Sequence, residues 1–69
     1  MVDTSRIKAE MKYRNLTQQD IADRLGIHVL TVGRRLKNGK WQIWEVKKLM
    51  EILEIGEEVF FGKGEKNDI

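Results

Sequence analysis

The 69-residue chain contains no cysteine and no proline, and each absence removes a class of explanation. Without cysteine there is no disulfide staple and no thiolate metal site, which fits a reducing compartment and leaves stability to apolar packing. Without proline, nothing kinks or interrupts a helix from within. Long apolar runs are missing too. No stretch approaches the roughly 18 residues of a membrane helix, and Met1 to Arg6 lacks the apolar centre of a signal peptide, so a soluble, cytoplasmic protein is expected. Histidine and serine occur once each, as His28 and Ser5, and the carboxylates are scattered over helix surfaces. No metal site, cofactor or enzyme activity is expected from such a set, and no glycine loop that could cradle a phosphate is present.

What is present is one small domain's worth of chain. A domain this size buries only about 60% of the surface that its unfolded form exposes, so its core must be built from short elements and leaves little room for a substrate cavity. The net charge of +2 says little, but its distribution says more. Residues 1–48 carry 11 Lys/Arg against 5 Asp/Glu, whereas residues 49–69 carry 2 against 6. The basic side peaks at Arg34, Arg35, Lys37, Lys40, Lys47 and Lys48. A field this lopsided suits a polyanion on one face, although solvated helix surfaces account for the same charges.

Apolar spacing divides the chain into helices. Thr4 or Ser5 is positioned to cap a first helix to about Tyr13, with Ile7 and Met11 inward and Asn15 closing it in a left-handed conformation. Thr17 and Asp20 make a capping box for a second helix, whose stripe is Ile21, Ala22 and Leu25 and whose stop is Gly26. A third runs from about Val29 to Lys37 with Val32 and Leu36 inward, and Asn38-Gly39 ends it. A fourth starts after Gln42, with Glu45 completing the cap and Ile43, Val46, Leu49, Met50 and Leu53 on its inner face, and Gly56 breaks it. Glu57 to Phe61 form a further short helix. Residues 1–61 are expected to be the domain and residues 62–69 a flexible tail.

Residues 16–39 form a recognisable object. Two short helices joined by a glycine turn must cross closely, which requires a small residue on the first and a branched apolar residue on the second. Ala22 and Val32 supply that pair. In Leu16-Thr17-Gln18, Ile21-Ala22, Leu25-Gly26-Ile27, Val32 and Leu36-Lys37-Asn38-Gly39, followed by the helix Ile43 to Leu53, the sequence resembles the Cro/repressor helix-turn-helix family of phage and bacterial regulators. The resemblance covers roughly residues 5–61. It implies an all-α, five-helix, lambda-repressor-like domain that binds double-stranded DNA with its third helix in the major groove. Since this chain carries no second domain, a Cro-like repressor is expected, working in a bacterial or phage-infected cell.

The resemblance also assigns residues. Val29, Leu30, Gly33 and Arg34 match base-facing positions, and Arg34 is the leading reader because a guanidinium can bond guanine O6 and N7 together. Gln18, Gln19, His28, Lys37, Asn38 and Lys40 match phosphate-facing positions at the start of the second helix, the turn and the loop after the third helix. The sequence departs from the family where a polar cap is usual: His28, Val29 and Leu30 stand there instead. Val29 and Leu30 could meet thymine methyl groups, a protein partner or the core. Gly33 permits close approach either to DNA or to another helix. Trp44 is placed outward beside Lys47 and Lys48 if Ile43 and Val46 turn inward. Val59, Phe60 and Phe61, three consecutive apolar residues, form a possible dimer interface, and a weak homodimer strengthened on DNA is expected. The alternative is a protein-interaction module on the same scaffold.

Overall fold

The computed structural model of the chain describes residues 3–57, which contain four helices and no strand. Helix α1 spans Thr4–Tyr13. Its cap is Asp3 rather than Thr4 or Ser5: the carboxylate accepts the Arg6 N–H at 3.2 Å. A carboxylate outcompetes a neighbouring hydroxyl here because it also meets the positive end of the helix dipole. After α1, Asn15 adopts a left-handed φ of 57°, which lets the Leu16 N–H return to the Met11 carbonyl at 2.8 Å.

Helix α2 spans Gln18–Leu25 and opens with the expected capping box. Gly26 closes it at φ 75°, donating its N–H to the Ala22 carbonyl at 2.8 Å. This left-handed position favours glycine because any Cβ there would crowd the backbone. Residues 26–28 are the whole turn before α3, Val29–Asn38, which runs one residue further than its spacing suggests. Gly39 repeats the glycine stop at φ 73°.

Helix α4, Ile43–Leu53, starts with the Gln42 and Glu45 box and ends earlier than expected. Glu54, not Gly56, takes the left-handed position, at φ 55°. The Ile55 N–H then reaches back to the Met50 carbonyl, so the reversal is complete before the glycine is reached.

The helices share one core. Ile7 and Met11 come from α1, Ile21, Ala22 and Leu25 from α2, Val32 and Leu36 from α3, and Val46, Leu49 and Leu53 from α4. Helix α3 packs on both α1 and α2, most extensively on α2, and α4 packs on α2. Ile27 and Met50 are half-buried at the margin. Ile43 corrects the expectation, since it is 74% exposed. Six residues before Leu49, at about 100° a residue, it lies about 120° round from the centre of the buried face. The inward place belongs to Glu45, only 1% exposed.

The expected short helix over Glu57 to Phe61 and the tail 62–69 lie largely outside the described residues, as do Val59, Phe60 and Phe61. Among the described residues no helix is long and apolar enough to cross a membrane.

Two substitutions test this assignment of faces. Leu49→Ala, at a site with no exposed surface, should cost about 2–5 kcal/mol in urea unfolding. Ile43→Ala should change stability by no more than about 0.5 kcal/mol. Equal losses from the two would mean that α4 is rotated from the face described.

Candidate nucleic-acid interface

The outer surface of α3 is dictated by its inner one. With Val32 and Leu36 buried, Leu30, Arg34 and Lys37 each fall about 140–160° round the helix from Val32. All three are exposed, Leu30 at 69%. Val29 does not join them. Three residues before Val32, it turns toward the core and packs against it, half-buried, so the expected apolar pair at the helix tip is reduced to Leu30.

His28 is the N-cap of α3, and its Nδ1 accepts the Leu30 N–H at 3.1 Å. With Nδ1 engaged as the acceptor, Nε2 is the ring nitrogen left facing outward. His28 thus does the capping work usually done by serine or threonine, and keeps one donor, Nε2–H, in reserve.

Beside this face stands the start of α2. The Asp20 carboxylate accepts the Thr17 N–H at 2.8 Å and the Thr17 hydroxyl at 3.0 Å, while the Asp20 N–H donates to Thr17 Oγ1 at 3.1 Å. The Thr17 N–H above all, then its hydroxyl and, more weakly, the Arg24 charge hold the Asp20 carboxyl below the usual carboxylate range. The amides of Gln18 and Gln19 belong to the first turn, where helix geometry supplies no acceptor. The side chain of Gln19 donates along α2 to Asp23 at 3.0 Å. The side chain of Gln18 lies across α3: a Cβ added at Gly33 would stand 3.2 Å from Gln18 Oε1. Gly33 is therefore the niche in which α2's first side chain crosses the exposed helix, which favours close packing as the reason for the glycine.

Beyond α3, Lys37, Asn38 and Lys40 are polar groups at and past its end, and all three are exposed. Asn38 Oδ1 accepts the Lys40 N–H at 2.8 Å, which leaves the Asn38 amide nitrogen as its outward donor. The structure thus groups Leu30, Arg34 and Lys37 on one face, sets Gln18 on its flank and His28 at its tip, and places Asn38 and Lys40 past its end.

One feature escaped the sequence. Arg35, counted there only in the basic peak, turns inward, its Nε 2.8 Å from Oε1 of buried Glu45. The Nε–H is not aligned on that oxygen as a hydrogen bond, so the contact is chiefly one of charge. Spacing held the clue: Arg35 lies three residues after Val32, and Glu45 four before Leu49, so both border buried columns. Trp44 is 46% exposed, with its indole N–H on Gln42 Oε1 at 3.0 Å. Trp41 is half-buried, and its indole N–H finds no acceptor among the described residues. Nor do those residues contain a group of three or more His, Cys, Asp or Glu side chains able to hold a metal ion.

No protein-family model, curated protein or solved structure matches the chain. The residues and their geometry carry the functional reading.

Two measurements check this geometry. Gly33→Ala should raise stability by up to about 1 kcal/mol, because alanine favours the helix and the crowded atom is the far end of a flexible, exposed side chain. A lower urea midpoint would show that Gln18 cannot yield. For Asp20 the folded carboxyl titrates below its unfolded value of about 3.9, so its contribution is fully present above that pH and disappears as pH falls through the lower, folded value. Asp20→Asn should therefore melt below the wild type at pH 7, with the gap narrowing as pH falls below the unfolded value. A gap independent of pH would remove the charge from the explanation.

Proposed function

We propose that the chain is a sequence-specific double-stranded DNA-binding transcriptional regulator that reads an operator with α3 in the major groove. The observation that carries this reading is the exposed face Leu30, Arg34 and Lys37 on a short helix whose opposite side is fully buried. Such a helix presents a fixed row of side chains to a groove wide enough to take it. Arg34 is suited to paired donation to guanine, and Leu30 to contact with a thymine methyl group. Around them, His28 Nε2–H, the first amides of α2 with Gln18 and Gln19, and Lys37, Asn38 and Lys40 supply donors and positive charge for phosphates on either side. The protein acts by occupying its site and blocking polymerase, as a Cro/C1-type repressor in the cytoplasm of a bacterial or phage-infected cell, without cofactor or chemistry.

A single helix reads only a few base pairs, so two chains on two half-sites about 34–36 Å apart are part of the proposal. A weak homodimer that DNA strengthens meets that need.

A second reading has its own support. Leu30, Ile43 and Trp44 are large apolar side chains left exposed, and a protein-interaction module would use them. Salt separates the two: phosphate contacts weaken steeply as salt rises, whereas apolar contacts do not.

Selection of bound sequences from a random duplex pool tests the main reading and reports site length and symmetry. On the selected site, Arg34→Ala should cost about 1–3 kcal/mol and change the preferred base, with a much smaller loss on random DNA. Lys40→Ala should weaken both duplexes alike. Equal losses on both duplexes for Arg34→Ala would remove it from base reading.

A further inference from the structure

Glu45 is the one charged residue fully buried among the described residues, and the exposed face of α3 makes no use of it. Its Oε1 accepts the Gln42 N–H at 2.8 Å, which starts α4, and stands 2.8 Å from Arg35 Nε at the last turn of α3. Arg35 Nη1 continues to the Lys40 carbonyl at 3.5 Å. From the other side, Asn38 Oδ1 holds the Lys40 N–H, and the Gly39 N–H returns to the Arg35 carbonyl at 2.7 Å. The backbone of Lys40 is thus held at both its N–H and its carbonyl, and only its side chain is left to point away.

We infer that Arg35 and Glu45 are positioning residues for the loop 39–42, ordering it in the free protein so that Lys40 and Asn38 meet a phosphate without further loss of chain freedom; this rests on the DNA-binding reading. A connection of four residues between two helices has many conformations, and a single surface contact does not form from it where ordering the chain costs more than the contact returns. Apolar packing could bury the same space, but it offers no directed bond to a carbonyl on one side and an amide on the other. A guanidinium and a carboxylate do, because each has several donor or acceptor positions at fixed angles. That is a reason for an ion pair in a core where aliphatic residues would pack as well.

The test must separate positioning from stability. Removing one partner leaves the other charge buried, so the informative change is the pair Arg35→Met with Glu45→Gln, which leaves net charge unaltered and keeps an acceptor for the Gln42 N–H. Binding to the selected duplex is measured across a salt series. Loss of folded protein lowers binding equally at every salt, whereas a lost phosphate contact reduces the slope of log K against log salt by about 0.9. The expected result is a slope shallower by about one in the paired variant, with Lys40→Ala adding little to it there while flattening the wild-type slope. A paired variant with the wild-type slope, or a Lys40→Ala effect equal in both backgrounds, overturns the proposal. Should the paired variant not fold, Arg35→Lys decides: a lysine keeps charge near Glu45 but cannot also span to the Lys40 carbonyl. Hydrogen exchange at the Lys40 amide should then be several-fold faster than in the wild type, and unchanged exchange overturns the proposal. A wild type that binds no duplex at low salt brings down the DNA reading itself, and the loop's task with it, a result distinct from duplex binding with an unaltered slope.

Discussion

The packing of α2 against α3 decides which way the rest of the molecule faces. Ile21, Ala22 and Leu25 on one helix and Val32 and Leu36 on the other are buried together, with only residues 26–28 between the elements. So short a turn leaves little choice of crossing, and Gly26 in the left-handed region makes the reversal without strain. Once Val32 and Leu36 are inward, Leu30, Arg34 and Lys37 have no freedom to be anywhere but outward. The same crossing brings Gln18 over Gly33. Core and candidate interface are two sides of one constraint.

Helix α4 answers a different problem, how to end the exposed helix and hold the loop beyond it. It could have been sealed by aliphatic residues alone, and Ile43 was available for that. Instead the inward position near its start is held by Glu45, and Ile43 is left in solvent. Burying a carboxylate is costly unless it is paired and bonded, and here it has the Gln42 N–H and the Arg35 guanidinium. These partners flank the loop on either side, so the interaction that compensates the burial also constrains the chain between them.

What was legible in the sequence was local chemistry within about five residues. The helix stops at Asn15, Gly26 and Gly39, and the Thr17 and Asp20 capping box, are set by neighbours close along the chain, and the structure has them as read. The buried apolar residues of α1, α2 and α3 are equally a matter of periodicity. What the residues alone did not reveal depends on partners further off or on forces that spacing does not register. Asp3 took the cap from Thr4 and Ser5 because a charge at a helix start gains from the dipole. Ile43 and Glu45 exchanged places because a hydrophobic pattern scores glutamate as outward, whatever arginine waits on the preceding helix. Val29 looked exposed beside Leu30, but three residues separate it from Val32, close enough to share the inner face.

Charge along the exposed surface is sorted more finely than the lopsided sequence implies. Of the two adjacent arginines, Arg35 is matched by Glu45 and contributes little field outward, whereas Arg34 has no carboxylate within ion-pair distance among the described residues. At the helix starts the sorting is opposite in kind. Helix α2 has Asp20 in its first turn, so part of its positive end is already answered by a carboxylate. Helix α3 has no acidic residue in its first turn, and its cap is the His28 imidazole. Its positive end is therefore left uncompensated beside Leu30, at the tip of the exposed face. An anion approaching that face meets the α3 dipole and Arg34 from the same side, while Asp20 makes the start of α2 a weaker attractor than its two free amides alone suggest. Of these two helix starts, the one without a carboxylate in its first turn belongs to α3, the helix that packs on both α1 and α2.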